Sequence, residues 1–89
     1  MMNCSQIDTF LSVVKKGSIS KAAKELHLTQ PAISAQIAAL ENMLGVKLFY
    51  RSRKGTFLTK EGEILLYYAK RINNLHNNLQ RQINKTTAS

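Results

Sequence analysis

Two short amphipathic helical patterns stand almost end to end in residues 19–37, ISKAAKELHLTQPAISAQI. The second opens on Thr29-Gln30-Pro31, a polar capping residue followed by a proline where the first turn of a helix tolerates it. Helices joined by so tight a turn cannot lie antiparallel as in a bundle hairpin. They must cross steeply, which leaves one face of the second helix pointing out of the domain. The chain carries 13 Lys and Arg against 5 Asp and Glu, a formal net charge of +8. In so basic a chain, the economical use of an outward-facing helix is insertion into the major groove of DNA.

Eighty-nine residues, 44% of them hydrophobic, make one small folded domain and leave little room for a deep catalytic cleft. Charge alone does not separate nucleic acid from an anionic membrane as partner, but its placement helps. Between Glu41 and Glu61 there is no acid, while Lys47, Arg51, Arg53, Lys54 and Lys60 all fall there. Cys4 is the only cysteine, so no internal disulfide can form. No apolar run approaches the roughly 18 residues of a membrane span, and the N-terminus lacks a secretory pattern. A cytoplasmic protein is expected.

Helix one is expected from about Ser5 to Lys16, with Ile7, Phe10, Leu11 and Val14 as its buried stripe. Asn3 with Gln6, or Ser5 with Asp8, could form a capping box, and Gly17 ends the helix. Ser18 or Ser20 can cap helix two, whose inner face is Ile19, Ala22, Ala23 and Leu26. The paired alanines suit a close helix crossing, and Leu28 is expected to tuck the turn into the core. Helix three, from about Gln30 to Leu44, has Thr29 as N-cap and Gly45 as stop. Ile33, Ile37, Leu40 and Leu44 fall within about 60° of one another and predict its buried stripe. The opposite face carries Pro31, Ala35, Ala38 and Asn42, with Ser34 on its flank.

Two short β-prone runs, 46–51 and 56–59, flank the polar turn Ser52-Arg53-Lys54-Gly55. They predict a basic-tipped hairpin, the wing of a winged helix. Thr59 then caps a last helix, with Glu61 and Glu63 in its first turn. Leu65, Tyr68, Ile72, Leu75, Leu79 and Ile83 recur at helical spacing over roughly 25 residues, or about 37 Å. So long a seam exceeds the span of the domain before it, and the simplest surface to cover it is the same helix of a second copy. Residues 86–89 read as a polar tail, the start of a hinge to a further domain.

The residues GSISKAAKELHLTQPAISAQIAALENMLGVKLF, then Arg51, then FLTKEG, resemble the DNA-binding region of LysR-type transcriptional regulators, which are bacterial. The resemblance runs without gaps over about residues 3–65. It implies a homodimer through antiparallel linker helices, with higher oligomers possible in a full-length protein. It also implies a small-molecule effector bound by a separate domain that this stretch does not contain. Gln30 lies where the family has a base-reading glutamine, and an amide can pair bidentately with adenine. The bland alternative is a first-turn side chain bonded to water. Ser34 is similar to the family's contacting serine and could reach a phosphate or a base. Ala35 departs from the family's usual Arg or Lys, as Ala38 often does. These alanines are either plain helix formers on a solvated face or small residues that touch thymine methyls. Arg51 matches the family's arginine, with Lys54 where a second one is usual and Arg53 beside it. On their own such charges give solubility; after a recognition helix they should hold phosphates or the minor groove.

The fold expected is mainly α: a winged helix-turn-helix of three helices plus a two-stranded β wing, followed by a long C-terminal dimerisation helix. The winged domain should occupy residues 1–59, with the helix-turn-helix at 19–38 and the wing at 46–59, and the linker helix 60–85. The DNA-facing set is Ser18, Thr29, Gln30, Pro31, Ser34 and Ala35 together with Arg51, Arg53 and Lys54. The rival reading is a winged helix that docks a protein partner along its long helix. A membrane-surface helix fits poorly, because the seam lacks the Trp and Phe of such faces. With His27 and His76 isolated and one cysteine, there is no metal-ligand set, and no cofactor or enzymatic constellation is expected.

Overall fold

The computed structural model describes residues 2–88. Its elements are α1 (Cys4–Lys16), α2 (Ile19–Leu26), α3 (Gln30–Leu44), β1 (Phe49–Ser52), β2 (Gly55–Leu58) and α4 (Lys60–Ala88). Local sequence chemistry sets most of these bounds. Asn3 and Gln6 form the capping box of α1, each side chain bonding the other's backbone N–H, so the Ser5–Asp8 alternative is not used. Gly17, in the left-handed region at φ 66°, closes the helix on the Val13 carbonyl. Ser18, not Ser20, caps α2 by accepting from the Lys21 N–H at 3.2 Å. His27 ends α2 in the left-handed conformation, and the next residue, Leu28, donates its N–H to the Ala23 carbonyl at 2.9 Å.

The core gathers Ile7, Phe10 and Val13 of α1 with Ala22 and Ala23 of α2 and Ile33, Ile37 and Leu40 of α3. Leu48, before the hairpin, and Leu65 and Ala69 of α4 complete it. Phe10 is fully buried and packs on Phe49 with ring centroids 5.3 Å apart. Helix α1 touches α2, α3, α4 and the hairpin, so it buries more than the single stripe expected. Thr9, Ser12 and Val13 are buried, while Leu11 and Val14 are only half-buried. Its buried hydroxyls are satisfied across helices, Thr9 by Gln36 of α3 and Ser12 by Glu25 of α2 at 2.9 Å. Lys16 lies 3.1 Å from the same carboxylate. Lys16 first, and the Ser12 hydroxyl second, hold the Glu25 carboxyl below its ordinary pKa.

Two apolar expectations fail, each at the end of a helix. Leu28 is 41% exposed and Leu44 42% exposed, although both fall on inward-reading positions. Leu28 follows the left-handed His27, where the chain turns outward between α2 and α3. Leu44 ends α3, one turn beyond Leu40, the last residue of that helix in the core.

The hairpin is antiparallel with Phe49 opposite Leu58 and Ser52 opposite Gly55, so only Arg53 and Lys54 form its loop. The predicted first run is shorter as a strand, because Val46, Lys47 and Leu48 make the approach to it. Thr59 starts α4, its hydroxyl accepting from the Gly62 N–H at 3.0 Å and donating to the Lys47 carbonyl at 2.6 Å. The helix is 29 residues long, and Thr86, Thr87 and Ala88 continue it instead of forming the expected tail. The Thr87 hydroxyl donates back to the Ile83 carbonyl at 3.1 Å. Ser89 lies outside the described residues. Residues 74–87 are all exposed, so α4 leaves the domain and stretches the molecule to 52 Å along its longest axis.

Gly62 is buried where α4 crosses the wing's approach. A methyl there would overlap the Leu48 carbonyl oxygen and come within 2.8 Å of Leu58 Cδ2. Helix propensity alone predicts that Gly62→Ala stabilises by up to about 1 kcal/mol. In this packing it should instead destabilise, by roughly 1–3 kcal/mol, because backbone cannot yield as a flexible side chain would. Denaturant unfolding of the two proteins gives the sign directly.

Candidate nucleic-acid interface

The first turn of α3 is built by its own sequence. Thr29 is extended at φ −79°, ψ 157°, and its hydroxyl accepts from the Ala32 N–H at 3.2 Å. Pro31 occupies the first turn, where no N–H is needed. Capping therefore holds Thr29, while the Gln30 side chain is left exposed one turn ahead of Ser34. Pro31, Ala35, Ala38 and Asn42 are also exposed and Ile33, Ile37 and Leu40 buried, as the helical period requires. Ser18 is half-buried; its cap uses an oxygen lone pair and leaves the hydroxyl hydrogen to donate.

The hairpin presents Arg51, Arg53 and Lys54 exposed. Arg51 pairs with Thr56 across the strands, and Arg53 and Lys54 form the tip, where the Lys54 N–H bonds the Ser52 hydroxyl at 3.2 Å. A crevice of about 250 Å³ separates hairpin from α3; Ser34 and Ala38 line one wall, and Lys47, Arg51 and Thr56 the other. The Thr56 N–H reaches the Gly17 carbonyl at 3.3 Å, which ties the wing to the α1–α2 turn beside Ser18. Ser34 and Arg51 thus open onto one space. Gln30, Pro31 and Ala35 lie on the exposed surface of the same helix, and Arg53 and Lys54 stand at the tip, outside the crevice.

Sequence reasoning missed what holds wing and helix in this relation. The Glu41 carboxylate accepts the Leu48 N–H at 2.8 Å through Oε2, while Oε1 lies 3.7 Å from Lys47 Nζ. The Glu41 carbonyl also takes the Gly45 and Val46 N–H groups at 2.8 and 3.2 Å. Glu41 is a brace between α3 and the wing. The only hint in the sequence is an acid and a lysine on either side of a helix-ending glycine. Also missed were Lys47 and Thr56 in the crevice, and a separate basic patch of Lys16, Lys21 and Lys24 around Glu25.

On α4, Tyr68, Ile72, Leu75, Leu79 and Ile83 are exposed at 39–69%. Leu65 is not among them: at 7% exposed it belongs to the domain core, with Ala69 one turn on. Ile64, 61% exposed, heads the free stripe in its place, since 64, 68, 72, 75, 79 and 83 share a face.

Residues 4–63 match the family described as "Bacterial regulatory helix-turn-helix protein, lysR family". The chain belongs to the LysR family. Among its relatives, an uncharacterized HTH-type transcriptional regulator of Azotobacter vinelandii is 42% identical over 83 residues, 93% of this chain and 58% of that protein. A probable HTH-type transcriptional regulator, LrrA of Synechococcus elongatus, is also 42% identical over 83 residues, but these cover 28% of its length. The chain therefore spans between about a quarter and three-fifths of these relatives. Among solved structures, the CbnR DBD–DNA complex is similar at a TM-score of 0.89 and 37% identity, covering 97% of this chain and 99% of that one. The BenM DBD/catB site 1 DNA complex reaches a TM-score of 0.94 at 28% identity, covering 99% of both chains. The mainly helical winged fold with its long C-terminal helix is thus that of LysR DNA-binding domains.

In this LysR domain the brace has a measurable worth. Glu41→Ala leaves the N–H of fully buried Leu48 without its acceptor and should cost about 1–3 kcal/mol in denaturant unfolding. Glu41→Gln keeps an acceptor oxygen and should recover most of that loss. Equal losses in the two variants would show that the carboxylate's charge, and not its hydrogen bond, supports the wing.

Proposed function

We propose that the chain binds double-stranded DNA sequence-specifically as the DNA-binding region of a LysR-type transcription regulator. In this reading α3 enters the major groove and the wing holds the backbone. The observation that carries it is the shared crevice: Ser34 and Ala38 of α3 face Arg51 of the wing across one opening, so the reading helix and the gripping charge address one ligand. Gln30 reads a base edge at the start of α3, with Ser34 and Ala35 beside it. Ser18, Thr29 and Pro31 lie along the backbone-facing rim, and Arg51, Arg53 and Lys54 supply phosphate contacts. The role is one of binding and not of catalysis, in keeping with relatives that are named as transcriptional regulators. No helix among the described residues is long and apolar enough to cross a membrane, and the expected place of action is the cytoplasm.

The same reading includes a homodimer through α4, and regulation by a small molecule bound elsewhere in a longer protein. The stripe from Ile64 to Ile83 lies about 90° around α4 from the face of Gly62, Leu65 and Ala69 that docks on the domain. It is free to meet a second copy without disturbing the core. The rival, a protein-docking module, has the same stripe but gives the basic wing no role.

Selection of duplexes from a random-sequence pool, followed by affinity measurements on selected and scrambled sites, tests the function. Gln30→Ala should cost roughly 1–3 kcal/mol on the selected site and almost nothing on the scrambled one. Arg51→Ala should weaken both alike and reduce the log–log salt slope by about 0.9 for one lost phosphate contact. A Gln30 variant that lost equally on both would give that residue a docking role and no reading role.

Sedimentation tests the dimer. Leu75 and Leu79 are 69% and 56% exposed, so replacing both with Asp should leave the domain folded and make it monomeric. A double variant that stayed dimeric would place the interface elsewhere.

A further inference from the structure

Residues 28–40 contain no charged side chain. Within this stretch Gln36 is held by Thr9, which removes its amide from the outward face. Between Gln30 with the half-buried Ser34 at its start and Asn42 at its far end, this face of α3 therefore meets a ligand with methyl groups, those of Ala35 and Ala38, both exposed. They are three residues apart on one face, about 4.5 Å along the helix axis, between one and two base-pair rises of about 3.4 Å. Ala38 also lines the crevice that Arg51 closes from the other side.

Resting on the major-groove reading above, we propose that α3 reads thymine through its C5-methyl group, with Ala35 and Ala38 as the specificity-determining contacts. The chemistry follows from what a major groove displays. Guanine, adenine and cytosine offer hydrogen-bonding edges that an alanine cannot answer, whereas thymine alone adds an apolar methyl. Placing an alanine against a donor or acceptor leaves that group without water, which disfavours the other bases. Short side chains also let the helix axis approach the base edges closely enough for methyl–methyl contact. Positive charge is supplied from the wing, so the reading face needs none.

The test uses duplexes selected from a random-sequence pool by the whole chain, resynthesised with deoxyuridine at one thymidine at a time. Deoxyuridine keeps the base pair and removes only the methyl. Loss of one buried methyl should weaken binding about fourfold at the thymines facing Ala35 and Ala38. Ala35→Gly or Ala38→Gly should abolish that ratio at the facing thymine. The thymine-to-uracil ratio is measured within one variant, so any helix weakening by glycine cancels. The uracil scan on the unsubstituted chain decides even where a variant folds poorly. A selected site whose affinity is indifferent to uracil at every position, while Gln30→Ala still loses it, would overturn methyl reading and leave the DNA-binding function standing. A uracil ratio that persisted in both glycine variants would also overturn it. A pool that enriched no sequence would overturn the function itself.

Discussion

Leu48 joins three parts of the fold through its side chain and both of its backbone groups. Its side chain is fully buried, its N–H is held by the Glu41 carboxylate at 2.8 Å, and its carbonyl accepts the Thr59 N–H at 3.0 Å. The same carbonyl lies against Gly62, at a distance only a glycine permits. One residue thus joins the end of α3, the entry to the wing and the start of α4. With both backbone groups and the side chain committed, the hairpin has one orientation relative to α3. That orientation is what turns Arg51 toward the crevice shared with Ser34 and sends α4 away from the domain.

Around this junction the charges are divided between elements. Helix α3 is uncharged up to Leu40, and the basic residues sit on the hairpin, around α2 and along α4. In the proposed reading, a long-range field from the wing attracts any duplex, whereas the short contacts of α3 discriminate among sequences only after docking. Separating the two functions lets the reading face change without loss of general affinity. Two of the five acids act as braces: Glu25 clasps α1 through Ser12 and Lys16, and Glu41 holds the wing.

Helix α4 serves two surfaces by rotation alone. Its first turns bury Gly62, Leu65 and Ala69 against the domain, contacting α1 and β2. From Ile64 onward a second stripe, about a quarter-turn around, remains exposed to Ile83. Continuous hydrogen bonding makes the helix a rigid spacer, so the position of that stripe relative to the recognition helix is set where α4 leaves the wing. The geometry of any paired assembly is thereby inherited from the junction at Leu48.

What the sequence determined by itself was most of what is carried by bonds within three or four residues. The caps Thr29 and Thr59, the stops at Gly17 and Gly45, the hairpin turn and the exposed face of α3 all follow from local donors, acceptors and period, while the caps of α1 and α2 were narrowed to two candidates each, of which the structure uses Asn3 and Ser18. The outward position of Gln30, Ala35 and the wing's basic residues was legible for the same reason, with Ser34 half-buried on the flank. Tertiary structure decided what covers each apolar face. Periodicity names a face but not its partner, so Leu28 and Leu44 read as core and are exposed, Leu65 read as interface and is core, and Val13 was passed over although fully buried. The brace from Glu41 to Leu48 and the close approach at Gly62 were invisible too. They depend on where separate elements meet, and no spacing along the chain encodes that.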